Sequence, residues 1–260
     1  MGGSVNKLRG VKSAARVLDI FELLHKEGHP LTLTEMRRKL GVPASSLHSL
    51  VHTLASRDYL EKDETTLSYQ LGPAIIALGR HKQEGIDLVE VADAELAELS
   101  QGSGESVSLA VLDGRDVVFI HKKVSSQVVR VVNPVGTRLP AHATALGKCL
   151  LAGLNEQELT RLYSSEGFSP ATHNAVTTRT ELLDVLDEAR VVRLAYDREE
   201  STLGVFAVAS PIFDYGGDVV GAVSIAAPTA RATLENVRRW EQLIAAGAAR
   251  ISAKLGYREG

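Results

Sequence analysis

Residues 31–54 contain two short amphipathic helical patterns on either side of a glycine, and this spacing constrains the fold more than any other feature of the chain. The first pattern opens with Thr32 and Glu35, which are spaced as in a capping box. Gly41 then supplies the left-handed residue that commonly ends a helix, and Val42-Pro43 leads into the next one. Two helices joined by a turn of about three residues form a helix-turn-helix.

The second helical pattern has one apolar face and one polar face. The apolar face consists of Leu47, Leu50, Val51 and Leu54. The polar face consists of Ser45, His48, Ser49 and His52. An ordinary solvated face more often carries Glu and Lys, whereas short hydroxyls and imidazoles approach phosphates and base edges closely. We therefore interpret this pattern as a DNA-recognition helix, with an ordinary surface face as the alternative.

The segments on both sides of the two helices favour a winged helix-turn-helix. Residues 59–62 and 67–71 flank a polar stretch, and Leu67, Tyr69 and Leu71 alternate with polar residues as in a half-buried strand. Upstream, residues 11–24 form an amphipathic pattern that predicts a packing helix. The predicted unit covers residues 10–72, with the helix-turn-helix at about 32–57 and the wing at 59–71.

The predicted DNA contacts come from three parts of this unit. Residues of the recognition helix are expected to face the major groove, Thr32 lies at a helix N-terminus, and Lys62 or Arg57 is expected near the DNA backbone. The full set is Thr32, Ala44, Ser45, Ser46, His48, Ser49, His52, Arg57 and Lys62.

Charge is distributed unevenly over the 260 residues. Residues 1–80 contain 11 Lys and Arg against 8 Asp and Glu, a net charge of +3, whereas the remainder carries −6 of the total of −3. Double-stranded DNA is therefore expected to bind the N-terminal part, and a second copy of the chain would double the phosphate contacts. A winged helix that binds protein instead is the alternative, and binding that does not weaken with salt would favour it.

The single cysteine, Cys149, excludes an internal disulfide and any multi-cysteine zinc site within one chain. The sequence contains no apolar signal-peptide core, and no run approaches the ~20 apolar residues that span a membrane. We therefore predict a cytoplasmic protein without membrane contact, cofactor or metal. The residues that could in principle ligate zinc lack close spacing, and they are His121, His142, His173 and Asp197.

Beyond the wing, the pattern predicts a linker helix over residues 73–86 and a second domain over residues 87–260. Helical patterns at 73–80 and 88–99 are separated by Gly85, and Asp113-Gly114 marks a hairpin between residues 107–112 and 117–121. Further strands are predicted at 128–132, 193–197, 205–210 and 219–226, and further helices at about 143–153, 179–192 and 232–255. This order predicts an α+β domain in which an antiparallel sheet, covered by helices, binds a small molecule on one face.

Several short motifs, each weak alone but in a specific order, resemble the IclR family of bacterial transcription regulators over about residues 10–256. They are Leu31-Thr-Leu-Thr-Glu-Met36, Leu71-Gly-Pro73, Gly104-Glu105, His142-Ala-Thr-Ala-Leu-Gly-Lys148, Tyr196-Asp-Arg-Glu-Glu200 with Leu203-Gly-Val205, Ala209-Ser-Pro211 and Ala222-Val-Ser-Ile-Ala-Ala-Pro228. The resemblance implies a winged helix-turn-helix, a linker helix and a C-terminal effector domain similar to the GAF or profilin-like fold. It also implies homodimers or dimers of dimers that bind operators, mostly as repressors of small-molecule catabolism.

The effector site is implied by the same resemblance. Its expected residues are His142, Ala145, Leu146, Asp197, Phe206, Ala207, Ser224 and Ala226. A helix that begins near residues 143–144 presents free N–H groups, which suit a carboxylate. The family frequently carries Arg, Cys and Ser at the positions of Phe206, Ala207 and Ala226, so we expect a roomier, less polar cup and an effector with an apolar or aromatic body. The family also commonly carries Lys and Arg at the positions of Ala44 and Ser49, which predicts lower DNA affinity or a different operator.

Three of the chemically distinctive residues have alternative interpretations. Asp197 would repel an anion unless it is protonated, and a buried carboxylate that caps a loop is an equal alternative for it. His142 is interpreted as a ligand donor or as a core histidine that is hydrogen-bonded to backbone. Cys149, His142 and Asp197 are residue types of nucleophilic catalysis, but Cys149 is expected almost two turns into a helix among leucines. That position predicts packing, so we expect no enzyme activity.

Overall fold

The computed structural model describes residues 11–84, 87–164 and 168–258. The chain forms two compact units, Met1–Gly85 and Ile86–Gly260, which are described separately. The expected bend at Gly85 lies outside the described residues. None of the described helices is long and apolar enough to cross a membrane.

The N-terminal unit combines helices with a small antiparallel sheet. Its helices are α1 (Lys12–Glu27), α2 (Leu33–Leu40), α3 (Ala44–Ala55) and α4 (Pro73–Glu84). Its strands are β1 (Leu31–Thr32), β2 (Leu60–Asp63) and β3 (Ser68–Leu71), and β3 lies between the other two. The helix-turn-helix and the hairpin after it therefore form as the sequence pattern predicts.

The start and the end of α2 follow directly from its sequence. The Thr32 hydroxyl accepts a hydrogen bond from the Glu35 N–H at 3.3 Å, and the Glu35 carboxylate accepts one from the Thr32 N–H at 2.8 Å. The backbone N–H and the hydroxyl of Thr32 both donate to the Glu35 carboxylate, and these two bonds lower the pKa of Glu35. Gly41 ends the helix at a φ of 64°, where residues with a Cβ are disfavoured.

The core of this unit is built from the apolar faces of α1, α2 and α3 and from the sheet. Its buried members are Ile20, Leu24, Leu31, Met36, Val42, Leu47, Val51, Leu54, Leu60 and Tyr69. The expectation for Leu67 is wrong, because this side chain is 57% exposed and its φ is 55°. The hairpin turn extends to Leu67, so the strand begins one residue later and buries Ser68 and Tyr69 instead.

The C-terminal unit is a six-stranded antiparallel sheet with helices on both faces. The strands are β4 (Ser106–Asp113), β5 (Asp116–Lys123), β6 (Arg138–Pro140), β7 (Ala195–Arg198), β8 (Val205–Phe213) and β9 (Val219–Pro228), in the spatial order β6-β5-β4-β9-β8-β7. The helices are α5 (Leu88–Ser103), α6 (Ala145–Ala152), α7 (Glu156–Leu162), α8 (Arg179–Val192) and α9 (Leu234–Lys254).

Side chains alternate between the two faces of the sheet and create two cores. Val208 and Ile225 pack with residues of α5 and α9 such as Leu96, Trp240 and Ile244. Their strand neighbours face α6 and α8, and the second core contains Ala207, Ala209, Ala226, Leu150 and Leu186. The predicted α+β class is confirmed.

The structure corrects three details of the sequence prediction. Residues 128–132 form no strand, although their valines favour one, and Val128 is 93% exposed. The outer strand is the short β6 instead. Helix α7 was not predicted, and it is a single short helix with a capping box from Asn155 and Glu158. Helix α6 begins at Ala145, after a 3₁₀ helix at Ala141–Ala143.

Candidate functional site

Helix α3 presents its polar face to solvent. Ala44, Ser45, His48, Ser49 and His52 are exposed, while Leu47, Val51 and Leu54 of the same helix are buried. The His48 and His52 rings stack with their centroids 6.5 Å apart and their planes 14° from parallel. This face carries no Lys, Arg, Asp or Glu, so its contacts with a partner depend on hydroxyl and imidazole groups.

Several hydroxyls on α3 are already hydrogen-bonded within the protein. The Ser49 hydroxyl donates to the Ser45 carbonyl at 3.0 Å, and the Thr53 hydroxyl donates to the Ser49 carbonyl at 2.8 Å. Ser46 is half-buried and accepts a hydrogen bond from the Arg16 guanidinium of α1 at 3.2 Å. Ser46 therefore links two helices of the core, in addition to any contact it makes outside.

The remaining predicted DNA contacts lie around α3, and they differ in whether their polar groups already bond to other groups of the protein. The only proton of the Thr32 hydroxyl is engaged in the capping box, because it is donated to the Glu35 carboxylate at 2.8 Å. Arg57 is exposed just after α3. Lys62 is exposed on β2, and its ammonium lies 2.7 Å from the Glu64 carboxylate, which raises the pKa of Lys62. The acidic wing tip thus offsets part of the positive charge of Lys62.

A narrow cavity lies between the C-terminal sheet and the first turn of α6. Paired residues of three neighbouring strands form its floor. Ser108 pairs with Ser224, and Ala226 pairs with both Ser106 and Ala207. Its full lining is Ser106, Ser108, Phe119, Val131, Asn133, Leu139, Thr144, Ala145, Leu146, Asp197, Ser201, Val205, Ala207, Ser224 and Ala226. The cavity volume is about 30 Å³, which holds one or two water molecules.

The roof of the cavity is the N-terminus of α6. The Thr144 hydroxyl caps this helix by accepting from the Gly147 N–H at 3.0 Å. Ala145 and Leu146 form the first turn, where backbone N–H groups have no intrahelical partner. The roof therefore offers backbone donors and the positive end of a helix dipole to a ligand.

Asp197 contributes the only acidic side chain among the lining residues. Its carboxylate accepts hydrogen bonds from the Glu200 N–H at 2.7 Å and the Ser201 N–H at 3.2 Å, and bonds the Ser201 hydroxyl at 2.5 Å. Burial raises the pKa of Asp197, although these hydrogen bonds lower it in part. The loop-capping interpretation is correct, and the same carboxylate also lines the cavity.

One wall of the cavity is an irregular segment, residues 124–137, which supplies Val131 and Asn133. Arg231 holds this segment by donating to the Val129 carbonyl at 2.9 Å, and its guanidinium also pairs with the buried Glu105 carboxylate. A second hydrogen bond, from the Ser125 hydroxyl to the Gly104 carbonyl at 2.7 Å, fixes the start of the segment.

Two residues of the expected effector site lie away from the cavity. Phe206 points to the opposite face of the sheet, where its ring centroid is 6.2 Å from that of Trp240. The neighbouring Ala207 faces the cavity because strand residues alternate. His142 lies in an aromatic cluster, 4.5 Å from the Phe168 ring centroid, and burial, assisted by the nearby Arg115 charge, lowers its pKa.

The structure brings the other six expected residues together and adds nine that the sequence did not single out. The six are Ala145, Leu146, Asp197, Ala207, Ser224 and Ala226. The most informative additions are Ser106 and Ser108, whose spacing of two places both hydroxyls on one face of β4. That spacing was available in the sequence, but the pairing of β4 with β9, which puts Ser108 opposite Ser224 and Ser106 opposite Ala226, was not.

Cys149 packs in the core of the C-terminal unit and is 2% exposed. Burial raises the pKa of its thiol, so the nucleophilic thiolate is disfavoured. Across the described residues, no group of three or more His, Cys, Asp or Glu side chains is arranged to hold a metal ion.

Family comparisons cover both units of the chain. The IclR helix-turn-helix domain matches residues 13–64, and the domain described as bacterial transcriptional regulator IclR C-terminal matches residues 81–253. The chain belongs to the IclR family. This IclR-family chain is therefore a DNA-binding transcription regulator with a C-terminal effector domain, and it is not an enzyme.

Individual relatives match nearly the full length. The chain is 36% identical to the HTH-type transcriptional regulator XynR of Escherichia coli, over 95% of this IclR-family chain and 98% of XynR. It is 30% identical to the HTH-type transcriptional repressor AllR of Escherichia coli, over 96% of this chain and 92% of AllR. The solved structure of the Agobacterium tumefaciens repressor BlcR superposes with a TM-score of 0.68 at 28% identity, covering 96% of this chain and 99% of BlcR.

Proposed function

We propose that this chain represses a small-molecule catabolic operon by binding a palindromic or near-palindromic operator as a homodimer or dimer of dimers in the cytoplasm. A small organic carboxylate in the α6 cavity controls the binding. The observation that carries the proposal is the exposed, uncharged polar face of α3 in a family of DNA-binding regulators. Dimerisation supplies the phosphate contacts that a net charge of +3 in residues 1–80 provides only sparsely.

Ser45→Glu is expected to weaken operator binding at least about tenfold, because it places a carboxylate next to phosphates and base edges. Ser45 is exposed in the first turn of α3, where a glutamate is compatible with the helix. Fluorescence anisotropy with a labelled duplex from upstream of its own gene, scrambled competitor and a salt series measures the affinity.

Gln101→Glu is the matched control, since it adds the same charge at an exposed position of α5 in the other unit. The control should bind DNA like the parent protein. Unchanged DNA binding by Ser45→Glu would contradict the assignment of α3 as the reading helix. Loss of both DNA binding and thermal stability would show that the substitution unfolds the unit instead.

The chemistry of the cavity favours a small effector with one carboxylate and hydrogen-bonding groups on its body. The N-terminus of α6 suits the carboxylate, and hydroxyls from Ser106, Ser108 and Ser224 line the floor. Phe206 does not contribute to the cavity, and any organic acid, aromatic or not, exceeds its volume of about 30 Å³, so either kind of effector requires the wall or the roof to move. A panel of oxo, hydroxy and aromatic acids tests this by thermal shift.

Effector affinity is expected to increase as the pH falls below neutral. The raised pKa of Asp197 means that its carboxyl gains a proton at a higher pH than an ordinary aspartate, and protonation removes its repulsion of an effector carboxylate. Titration calorimetry with the tightest acid of the panel measures the trend. Asp197→Asn should bind more tightly at pH 7.5 and lose the pH dependence, and a pH profile unchanged by the substitution would refute the explanation.

To control DNA binding, the effector must bind two conformations of the assembly with different affinities. A ligand with equal affinity for both conformations does not shift the equilibrium between them. The narrow cavity supports this proposal, since an effector larger than water must displace part of the wall or the roof. We propose that this displacement changes the spacing of the two reading helices in a dimer.

A further inference from the structure

The exposed face of α3 offers few side-chain donors that can reach a base. The sequence of α3, Ala44–Ala55, contains no Lys, Arg, Asn or Gln. The hydroxyls of Ser49 and Thr53 donate to carbonyls of their own helix. Apart from the short Ser45, the polar side chains that remain exposed without such a bond are His48 and His52.

The two imidazoles have a regular geometry. They lie one helical turn apart, their planes are 14° from parallel, and their centroids are 6.5 Å apart. Base pairs of double-stranded DNA are about 3.4 Å apart, so this separation is close to two base-pair steps, about 6.8 Å. In a major groove, the pair therefore spans three consecutive base pairs.

The donor chemistry of imidazole selects among the bases. In the major groove guanine presents two acceptors, N7 and O6, whereas cytosine presents a donor, adenine presents one acceptor beside a donor, and thymine presents one acceptor beside a methyl group. Imidazole always carries at least one N–H donor. Guanine thus offers an imidazole N–H more acceptor atoms in the major groove than any other base.

We propose that His48 and His52 are the specificity-determining residues of DNA reading, and that each donates to a guanine, with both guanines inside a window of three base pairs in each half-site. The inference rests on the proposed role of α3 as the major-groove helix. It identifies which of the exposed residues select sequence and which base they select.

The test is selection of bound duplexes from a library with a randomised half-site, using the parent protein, His48→Gln, His52→Gln and Thr53→Ala. The parent is expected to enrich two guanines within three base pairs. Each glutamine variant should replace one of them by adenine, because glutamine pairs with adenine N6 and N7, and should bind the parent sequence about tenfold more weakly. Thr53→Ala, which removes a hydroxyl bonded to the helix, should enrich the parent sequence.

Glutamine variants that are folded by circular dichroism and still enrich the parent sequence would overturn the proposal, as would a parent sequence without guanine in the window. In both cases the parent still selects a sequence, so the proposed DNA-reading function stands. A folded parent that enriches no sequence would overturn both the proposal and the function on which it rests.

Discussion

Lys148→Met is expected to lower the free energy of unfolding of the C-terminal unit by about 3–5 kcal/mol, because it leaves a buried carboxylate without its partner. The side chains of Lys148 and Glu200 are 3% and 9% exposed, and the ammonium lies 2.5 Å from the Glu200 carboxylate. The same ammonium donates to the Tyr196 carbonyl at 2.8 Å. Methionine preserves most of the side-chain volume, so the loss measures the charge and its hydrogen bonds.

Urea unfolding followed by tryptophan fluorescence measures this effect, since the chain has a single tryptophan, Trp240, which is buried in the C-terminal unit. The double variant Lys148→Met with Glu200→Gln should recover part of the loss, because it no longer buries an unpaired charge. Asp187→Asn breaks the exposed Asp187–Arg190 pair and should change stability by less than about 1 kcal/mol. Equal effects of Lys148→Met and Asp187→Asn would contradict the importance of burial.

Gly147→Ala is expected to destabilise the C-terminal unit by about 3 kcal/mol or more and to abolish effector binding. A Cβ on Gly147 would lie 2.2 Å from the Ala141 carbonyl oxygen and 2.3 Å from the Ala141 Cα. Both are backbone atoms of the 3₁₀ helix, so relief requires the start of α6, which forms the cavity roof, to move away from Ala141. The same denaturation assay and the thermal-shift panel measure the two consequences.

Gly102→Ala serves as the control for Gly147→Ala. The added Cβ would meet Leu243 at an ordinary 3.5 Å, and Gly102 lies inside α5. Because alanine favours helices over glycine, this variant should be more stable by about 0.5–1 kcal/mol. If Gly147→Ala retained both stability and effector binding, α6 would not be fixed against Ala141 in the way described.

The elements that the sequence predicted well are those whose signals are local. The helical repeat, the Thr32–Glu35 capping box and Gly41 specify α2 and α3 within about twenty residues. The hairpin at Asp113-Gly114 is similarly local, and β4 and β5 form around it. The valine-rich residues 128–132 gave a strand signal of the same kind, but they are not paired with a neighbouring strand, so propensity alone was misleading.

The cavity was only partly predictable, because it depends on register between strands that are distant in the sequence. Ser108 and Ser224 are neighbours only because β4 pairs with β9. Phe206 and Ala207 are adjacent in sequence, and no local feature decides which of them faces α6. The dual role of Asp197, which caps a turn and lines the cavity, also required the position of Ser201.

The irregular wall of the cavity has a consequence for how such a regulator diversifies. Residues 124–137 supply Val131 and Asn133 without belonging to the sheet, and Arg231 holds them through a backbone carbonyl. A contact to a carbonyl does not depend on the side chain of the residue that carries it. Substitutions in this wall other than at Val131, which packs against a core, therefore alter the cavity surface while sheet register stays intact. For the effector that we propose, new preferences are therefore accessible there by single mutations at little cost in stability.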